Sequence, residues 1–171
     1  GLMNLCMDIG NTRAKMAVFN SSGKMEYYMV MAHPGIRKVR QLHKKHHILR
    51  AIISSTRNIN TEFIEKVRAL FPCLVLTEKV QLPIDSEYET PRTLGKDRLA
   101  VMVAAHALYG NDATLVVDIG TCITYDVISE GIYRGGNISP GAYLKIKAMN
   151  RYTDKLPLVE LVANQDILGK T

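Results

Sequence analysis

"MDIGNTRAK" at residues 7–15 and "VVDIGTCIT" at residues 116–124 are the two stretches on which the fold turns. Each begins in an apolar run, ends that run on an aspartate (Asp8, Asp118), and continues into Ile-Gly and hydroxyl-bearing residues. One such stretch alone reads as a tight hairpin, because Gly and Asn are the residues that enter positive φ. Two copies, 110 positions apart and each leading to a threonine, form an internal repeat. Gly10 and Gly120 let backbone N–H groups approach an anion closely, while Thr12 and Thr121 add hydroxyl donors. Backbone concavities of this kind hold phosphate. The carboxylates of Asp8 and Asp118 can hold a cation that neutralises phosphate charge, directly or through water. Arg13 and Lys15 either assist or alternate out to solvent.

Outward from the first turn, residues 3–8, 13–19 and 25–31 read as three strands of a meander. Residues 35–47 carry Ile36, Val39 and Leu42 at helical spacing, and 48–55 is a short apolar run suited to a buried strand. A helix over 61–71 and a strand over 73–77 follow, and then a Pro-rich loop over 81–95. The Ala-rich segment 96–110, closed by Gly110, is the strongest helix. The second turn again opens strand, turn, strand over 113–128. A third strand and turn follow, and then a helix over 142–153. The first half runs βββαβαβ and the second βββα. This predicts two similar α/β lobes around a cleft, residues 3–110 and 111–171, the second lacking its last strands and helices.

Composition sets the bounds. A chain of 171 residues with 47% hydrophobic and 22% charged residues has the balance of a globular domain able to bury a core. The net charge of +6 suits anionic small molecules or nucleic acid, and by itself decides neither. Cys6, Cys73 and Cys122 are odd in number and far apart, which argues against a disulfide framework or zinc site and fits a reducing cytosol. No apolar stretch reaches the roughly 20 residues of a bilayer span, and the first apolar run stops at Asp8, too early for a signal peptide.

LGKDR at 94–98 has two readings. Asp97 in a first helical turn favours the positive end of the helix dipole. The same carboxylate can serve as the general base that takes a hydroxyl proton during phosphoryl transfer. Arg98 beside it can grip the carboxylate of an acidic substrate bidentately. GGNISPG at 135–141 supplies turns, with Pro140 near a helix start. The cationic HKKHH run, His43 to His47, reads as a solvated helix end. ILGKT at 167–171 has the tail of a phosphate loop, but Asn164 stands where that pattern needs Gly.

The two acidic turns resemble the phosphate motifs of the acetate and sugar kinase, heat-shock ATPase and actin superfamily, and within it the chain is similar to type III pantothenate kinases. The likeness rests on DIGNTRAK at 8–15, YETPRTLGKDR at 88–98, DIGTCITYDVI at 118–128 and GGNISPG at 135–141, and KLPLVE at 155–160 adds to it. It implies duplicated ribonuclease-H-like, actin-like lobes around a nucleotide cleft, and transfer of the ATP γ-phosphoryl group to pantothenate. ATP then contacts Asp8, Ile9, Gly10, Asn11, Thr12, Arg13, Ala14, Lys15 and Thr121. Substrate contacts Tyr88, Gly95, Lys96, Asp97, Arg98 and Thr171, with Asp97 the catalytic base. The resemblance also implies Mg2+ with ATP, a monovalent cation (K+ or NH4+) at Asp118, and a homodimer, with neither nucleic acid nor membrane as partner. Two other readings stay open: a superfamily kinase for another small acid or sugar, and a non-catalytic transcriptional regulator related to the family.

Overall fold

The computed structural model describes residues 1–161, so the Thr171 expectation lies outside the described residues. The first lobe is a five-stranded sheet in the order β3-β2-β1-β4-β5. Strands β1 (Met3–Ile9), β2 (Ala14–Phe19) and β3 (Met25–Met31) form the antiparallel meander. Strands β4 (Ile48–Ser55) and β5 (Cys73–Val75) add in parallel beside β1, through crossovers carrying helices α1 (Ile36–His46) and α2 (Thr61–Arg68). Alternation decides which face is covered. Leu5, Met7 and Ile9 of β1 and Ala14, Met16 and Val18 of β2 point one way. They pack with Ile53 of β4, Val39 and Leu42 of α1 and Val67 of α2. Asn60 caps α2, its Oδ1 accepting the Glu62 N–H at 2.8 Å. The HKKHH run ends α1 as expected, though not wholly in solvent: the His43 ring packs on Phe71 and the His46 ring on Tyr27.

The second sheet has the order β6-β9-β8-β7. Strands β7 (Thr114–Ile119), β8 (Cys122–Ser129) and β9 (Ile132–Pro140) repeat the meander, followed by helix α4 (Ala142–Arg151). The two-residue strand β6 (Asp85–Ser86) pairs in parallel with β9, out of a stretch the sequence reads as loop. β1 is central in its sheet because β4 lies along its outer side. Its counterpart β7 is an edge strand among the described residues, which leaves Leu115, Val117 and Ile119 exposed.

Helix α3 (Lys96–Tyr109) ties the sheets together, touching β4 of the first and β7 and β8 of the second. A helix covered from two sides shows no single apolar stripe. The sequence gives α3 to the first lobe. In the fold its Leu99, Met102 and Ala105 share a core with Ile128 and Tyr133 of the second sheet. Gly110 closes it at φ 64, ψ −130, a backbone state that only glycine enters freely. No helix among the described residues is long and apolar enough to cross a membrane.

Candidate active site

The two Asp-Ile-Gly turns leave corresponding ends of the two meanders and meet. Asp8 is the penultimate residue of β1, in register with Lys15 of β2 and Ser54 of β4. Asp118 is the penultimate residue of β7, in register with Thr124 of β8. Each turn closes on its glycine: Gly10 N–H donates to the Arg13 carbonyl and Gly120 N–H to the Cys122 carbonyl, both at 2.9 Å. Across the gap, the Thr12 and Thr121 hydroxyls stand 3.0 Å apart in one hydrogen bond. The repeat read from the sequence is therefore one local structure, and both threonines are exposed at the junction.

Gly141, in the turn before α4, is buried against the second of these turns. A Cβ on it would collide with the carbonyls of Gly120 and Thr121, and its N–H donates to the Thr121 carbonyl at 2.9 Å. The GGNISPG segment thus seats the second Asp-Ile-Gly turn from behind.

Asp97 enters the same neighbourhood from the start of α3. Its Oδ1 folds back over Gly95 and accepts the Arg98 N–H at 2.9 Å, and the space it occupies is one that a side chain at position 95 would fill. Asp97 and Asp118 each lie close enough to act on Asp8. Burial, and then the like charges of Asp97 and Asp118, push the Asp8 carboxyl above its ordinary value against the pull of Lys15. Lys15 Nζ lies 3.6 Å from Asp8 Oδ2, with both side chains about half exposed. Among the described residues, no three Asp, Glu, His or Cys side chains close on a single ion position. Carboxylates near Asp8 but separated from it would suit a hydrated divalent cation such as Mg2+, which keeps part of its water and takes other ligands from phosphate.

Arg98, expected to grip an acidic substrate, has a partner within the protein. It is buried against Asp126 of β8, with Nη2 2.6 Å from Asp126 Oδ1 and Nε 3.0 Å from the same oxygen. Tyr133 of β9 completes the group by donating its hydroxyl to Asp126 Oδ1 at 2.7 Å. The hydrogen bonds from Arg98 to Asp126 hold the guanidinium protonated, and burial pushes the Tyr133 phenol well up from its usual range. Gly136 lies against this group, and a Cβ there would overlap Tyr125 O, Asp126 Oδ1 and Arg98 Nη2. Tyr88 stacks on the Tyr133 ring with centroids 5.8 Å apart. Asp126 and Tyr133 are positioning residues that the sequence reading did not single out. The one signal available for Asp126 was an acid in the middle of an apolar strand.

Two α/β lobes joined by a shared helix, with paired acidic turns where they meet, define the actin-like fold class. A solved structure named as a conserved Baf family transcriptional activator from Campylobacter jejuni superimposes with a TM-score of 0.53 at 23% identity, covering 88% of this chain and 61% of that one. Component A of the Acidaminococcus fermentans (R)-2-hydroxyglutaryl-CoA dehydratase superimposes at 0.50 with 11% identity, covering 90% and 56%. These likenesses concern the fold.

The sequence comparisons reach further. The family model for type III pantothenate kinase matches residues 4–171. A type III pantothenate kinase of Bacteroides fragilis strain YCH46 is 38% identical over 170 residues, 98% of this chain and 70% of the relative. The Phocaeicola vulgatus enzyme is 38% identical over 171 residues, with 70% of its length covered. The chain belongs to the type III pantothenate kinase family.

Proposed function

We propose that the chain is an ATP-dependent kinase that transfers the γ-phosphoryl group to the hydroxyl of pantothenate, the first step toward coenzyme A. Family membership over nearly the whole chain supports the reaction. The observation that carries the site is the 3.0 Å meeting of Thr12 and Thr121 beside Asp8, which Asp97 and Asp118 both approach. In this reading, residues 8–15 and Thr121 hold the ATP phosphates through backbone N–H groups, hydroxyls and the Lys15 ammonium. Mg2+ on the phosphates, held toward Asp8, supplies charge neutralisation. Asp97 accepts the proton of the pantothenate hydroxyl as its oxygen bonds to the γ-phosphorus and the bond to the ADP oxygen breaks.

Gly95, Lys96 and Tyr88 complete the acceptor side, and Thr171 belongs to it by family resemblance. Arg98 acts there chiefly by fixing α3, since its Nε and Nη2 are occupied by Asp126. The reading extends to K+ or NH4+ at Asp118, a homodimer, and a cytoplasmic location, each supported by the family likeness. A coupled ADP-release assay over a panel of small acids and sugars tests it. Pantothenate-dependent turnover is the expected result, and turnover confined to another acceptor overturns the substrate.

A further inference from the structure

Ser54, Ser55 and Thr56 end β4 beside the first Asp-Ile-Gly turn, and two of their three hydroxyls are spent there. Ser55 Oγ donates to the Arg57 carbonyl at 2.7 Å, and Thr56 Oγ1 to the Ile9 carbonyl at 3.4 Å. Ser54 differs from both. It is 8% exposed, its Oγ is closed off from solvent, and that oxygen makes no hydrogen bond among the described residues. Buried hydroxyls are ordinarily hydrogen-bonded, and one without a partner is less favourable there than an apolar group.

Strand register identifies the group that Ser54 stands beside. It is the parallel partner of Asp8, as Ile53 is of Met7 and Ala51 of Leu5. Leu5, Met7, Ala51 and Ile53 turn into the core, so Asp8 and Ser54, one step further along each strand, share the opposite face. On the other side of Asp8, β2 places Lys15 on that same face in antiparallel register. Asp8 therefore lies between a cation and a hydroxyl, on three adjacent strands spaced about 4.8 Å apart. Its carboxylate is held on the cation's side alone, with Lys15 Nζ 3.6 Å from Asp8 Oδ2. Both side chains of that ion pair are about half exposed, so the hold is weak.

We propose that Ser54 is a positioning residue: with Mg-ATP in the cleft, its hydroxyl donates to the Asp8 carboxylate while Lys15 turns to the phosphates. This rests on the reading of residues 8–15 as the phosphate site. Both changes of partner are favourable. The Lys15 ammonium meets a more highly charged group, and the Ser54 hydroxyl gains an ionised acceptor. A short side chain on a buried strand then fixes the carboxylate more narrowly than a long, flexible ammonium does. A carboxylate oriented in this way presents one face to the ion on the phosphates.

Ser54→Ala tests the proposal by calorimetric titration of the full chain with ATP, once with Mg2+ and once in EDTA, beside thermal melts and steady-state kinetics. The Mg-ATP dissociation constant is expected to rise roughly tenfold, with ATP in EDTA changing less than about twofold. The ATP KM should rise in step, and the pantothenate KM stay within about twofold. The melting temperature without ligand should hold or rise, because no hydrogen bond is lost. Mg-ATP affinity equal to that of wild type overturns the proposal, as does an equal loss with and without Mg2+. A marked fall in the ligand-free melting temperature makes Ser54 a structural donor and overturns it too. Wild-type protein that binds no Mg-ATP overturns the phosphate-site reading itself, and the proposal falls with it.

Discussion

Arg98 Nη2 lies 2.6 Å from Asp126 Oδ1, a buried pair that joins the first turn of α3 to the middle of β8 across 28 residues. The residue next to the proposed catalytic base is thus an anchor for the helix that carries the base. Both charges are removed from water, so each depends on the other. Asp126→Ala is expected to destabilise the fold by about 3–5 kcal/mol, the penalty for stranding one member of a buried pair. Urea unfolding followed by circular dichroism measures it. A loss below about 1 kcal/mol would mean that water reaches Arg98 and replaces the partner.

Gly136 lies directly against that pair, and a methyl group there has no room beside Asp126 Oδ1 and Arg98 Nη2. Gly136→Ala is expected to cost about 1–3 kcal/mol through overpacking. Its effect should add only in part to that of Asp126→Ala, because the shortened side chain removes the clash with Asp126 Oδ1 while the Tyr125 carbonyl still stands in the way. A double-mutant cycle on unfolding free energies provides the check, and simple additivity would count against the contact.

The parts of this architecture legible in the sequence are those written in short periods. Alternation in residues 3–19 and 114–129 marks the meanders, and the repeated Asp-Ile-Gly implies that the two turns are equivalent. The meeting of Thr12 with Thr121 follows from that equivalence once the lobes face each other. The pairing of Arg98 with Asp126 is illegible in the sequence for a physical reason. An arginine in a first helical turn reads the same whether its partner is a ligand or a strand residue 28 positions on, and long-range polar pairing leaves no period. Strand β6 was hidden for a similar reason: two residues, Asp85 and Ser86, are too few to alternate, and β9 recruits them. The place of α3 was obscured by its own composition, since an Ala-rich helix apolar on several faces fits against either sheet.

Asp8 gives a prediction with a definite sign in pH. Its carboxyl is raised by burial and by Asp97 and Asp118, so the folded state binds a proton more readily than the unfolded chain does. That contribution is fully present below the unfolded-state value and is lost as pH rises through the folded-state value. At neutral pH the ionised carboxylate is therefore a small liability, reduced by solvent because the side chain is partly exposed. Asp8→Asn should raise the melting temperature of the ligand-free protein slightly, on the order of a degree, while abolishing the further rise given by Mg-ATP. Thermal melts at pH 8 and at steps down through the ordinary carboxylate range, about 4, should show the variant's advantage at pH 8 and its decline as the carboxyl protonates. A variant less stable than wild type at pH 8 would place the Lys15 pair above the repulsion.

Asp97→Asn separates chemistry from architecture. Asparagine keeps the Oδ1 atom that accepts the Arg98 N–H, so the start of α3 should hold. A neutral amide cannot take the hydroxyl proton. Turnover is expected to fall by about 10²–10⁴-fold, with ATP affinity within about twofold of wild type. Single-turnover kinetics and nucleotide titration together decide it, and turnover near wild type would assign the base elsewhere.

Thr12 and Thr121 offer the test of the cleft itself. Their hydroxyls bond to each other at 3.0 Å in an exposed position, where one neutral hydrogen bond contributes about 0.5–1.5 kcal/mol at most. When phosphate oxygens enter, each hydroxyl exchanges a neutral partner for a charged one, and such bonds are worth about 1.5–3 kcal/mol. Thr12→Val and Thr121→Val should therefore change unfolding free energy by less than about 1 kcal/mol, yet weaken ATP binding roughly tenfold to hundredfold. The double variant should lose no more fold stability than either single one, since one bond is being removed in both cases. Calorimetric titration of ATP beside urea unfolding makes the comparison. Equal losses in stability and in affinity would make the threonine pair a brace between the lobes, with the phosphates held elsewhere.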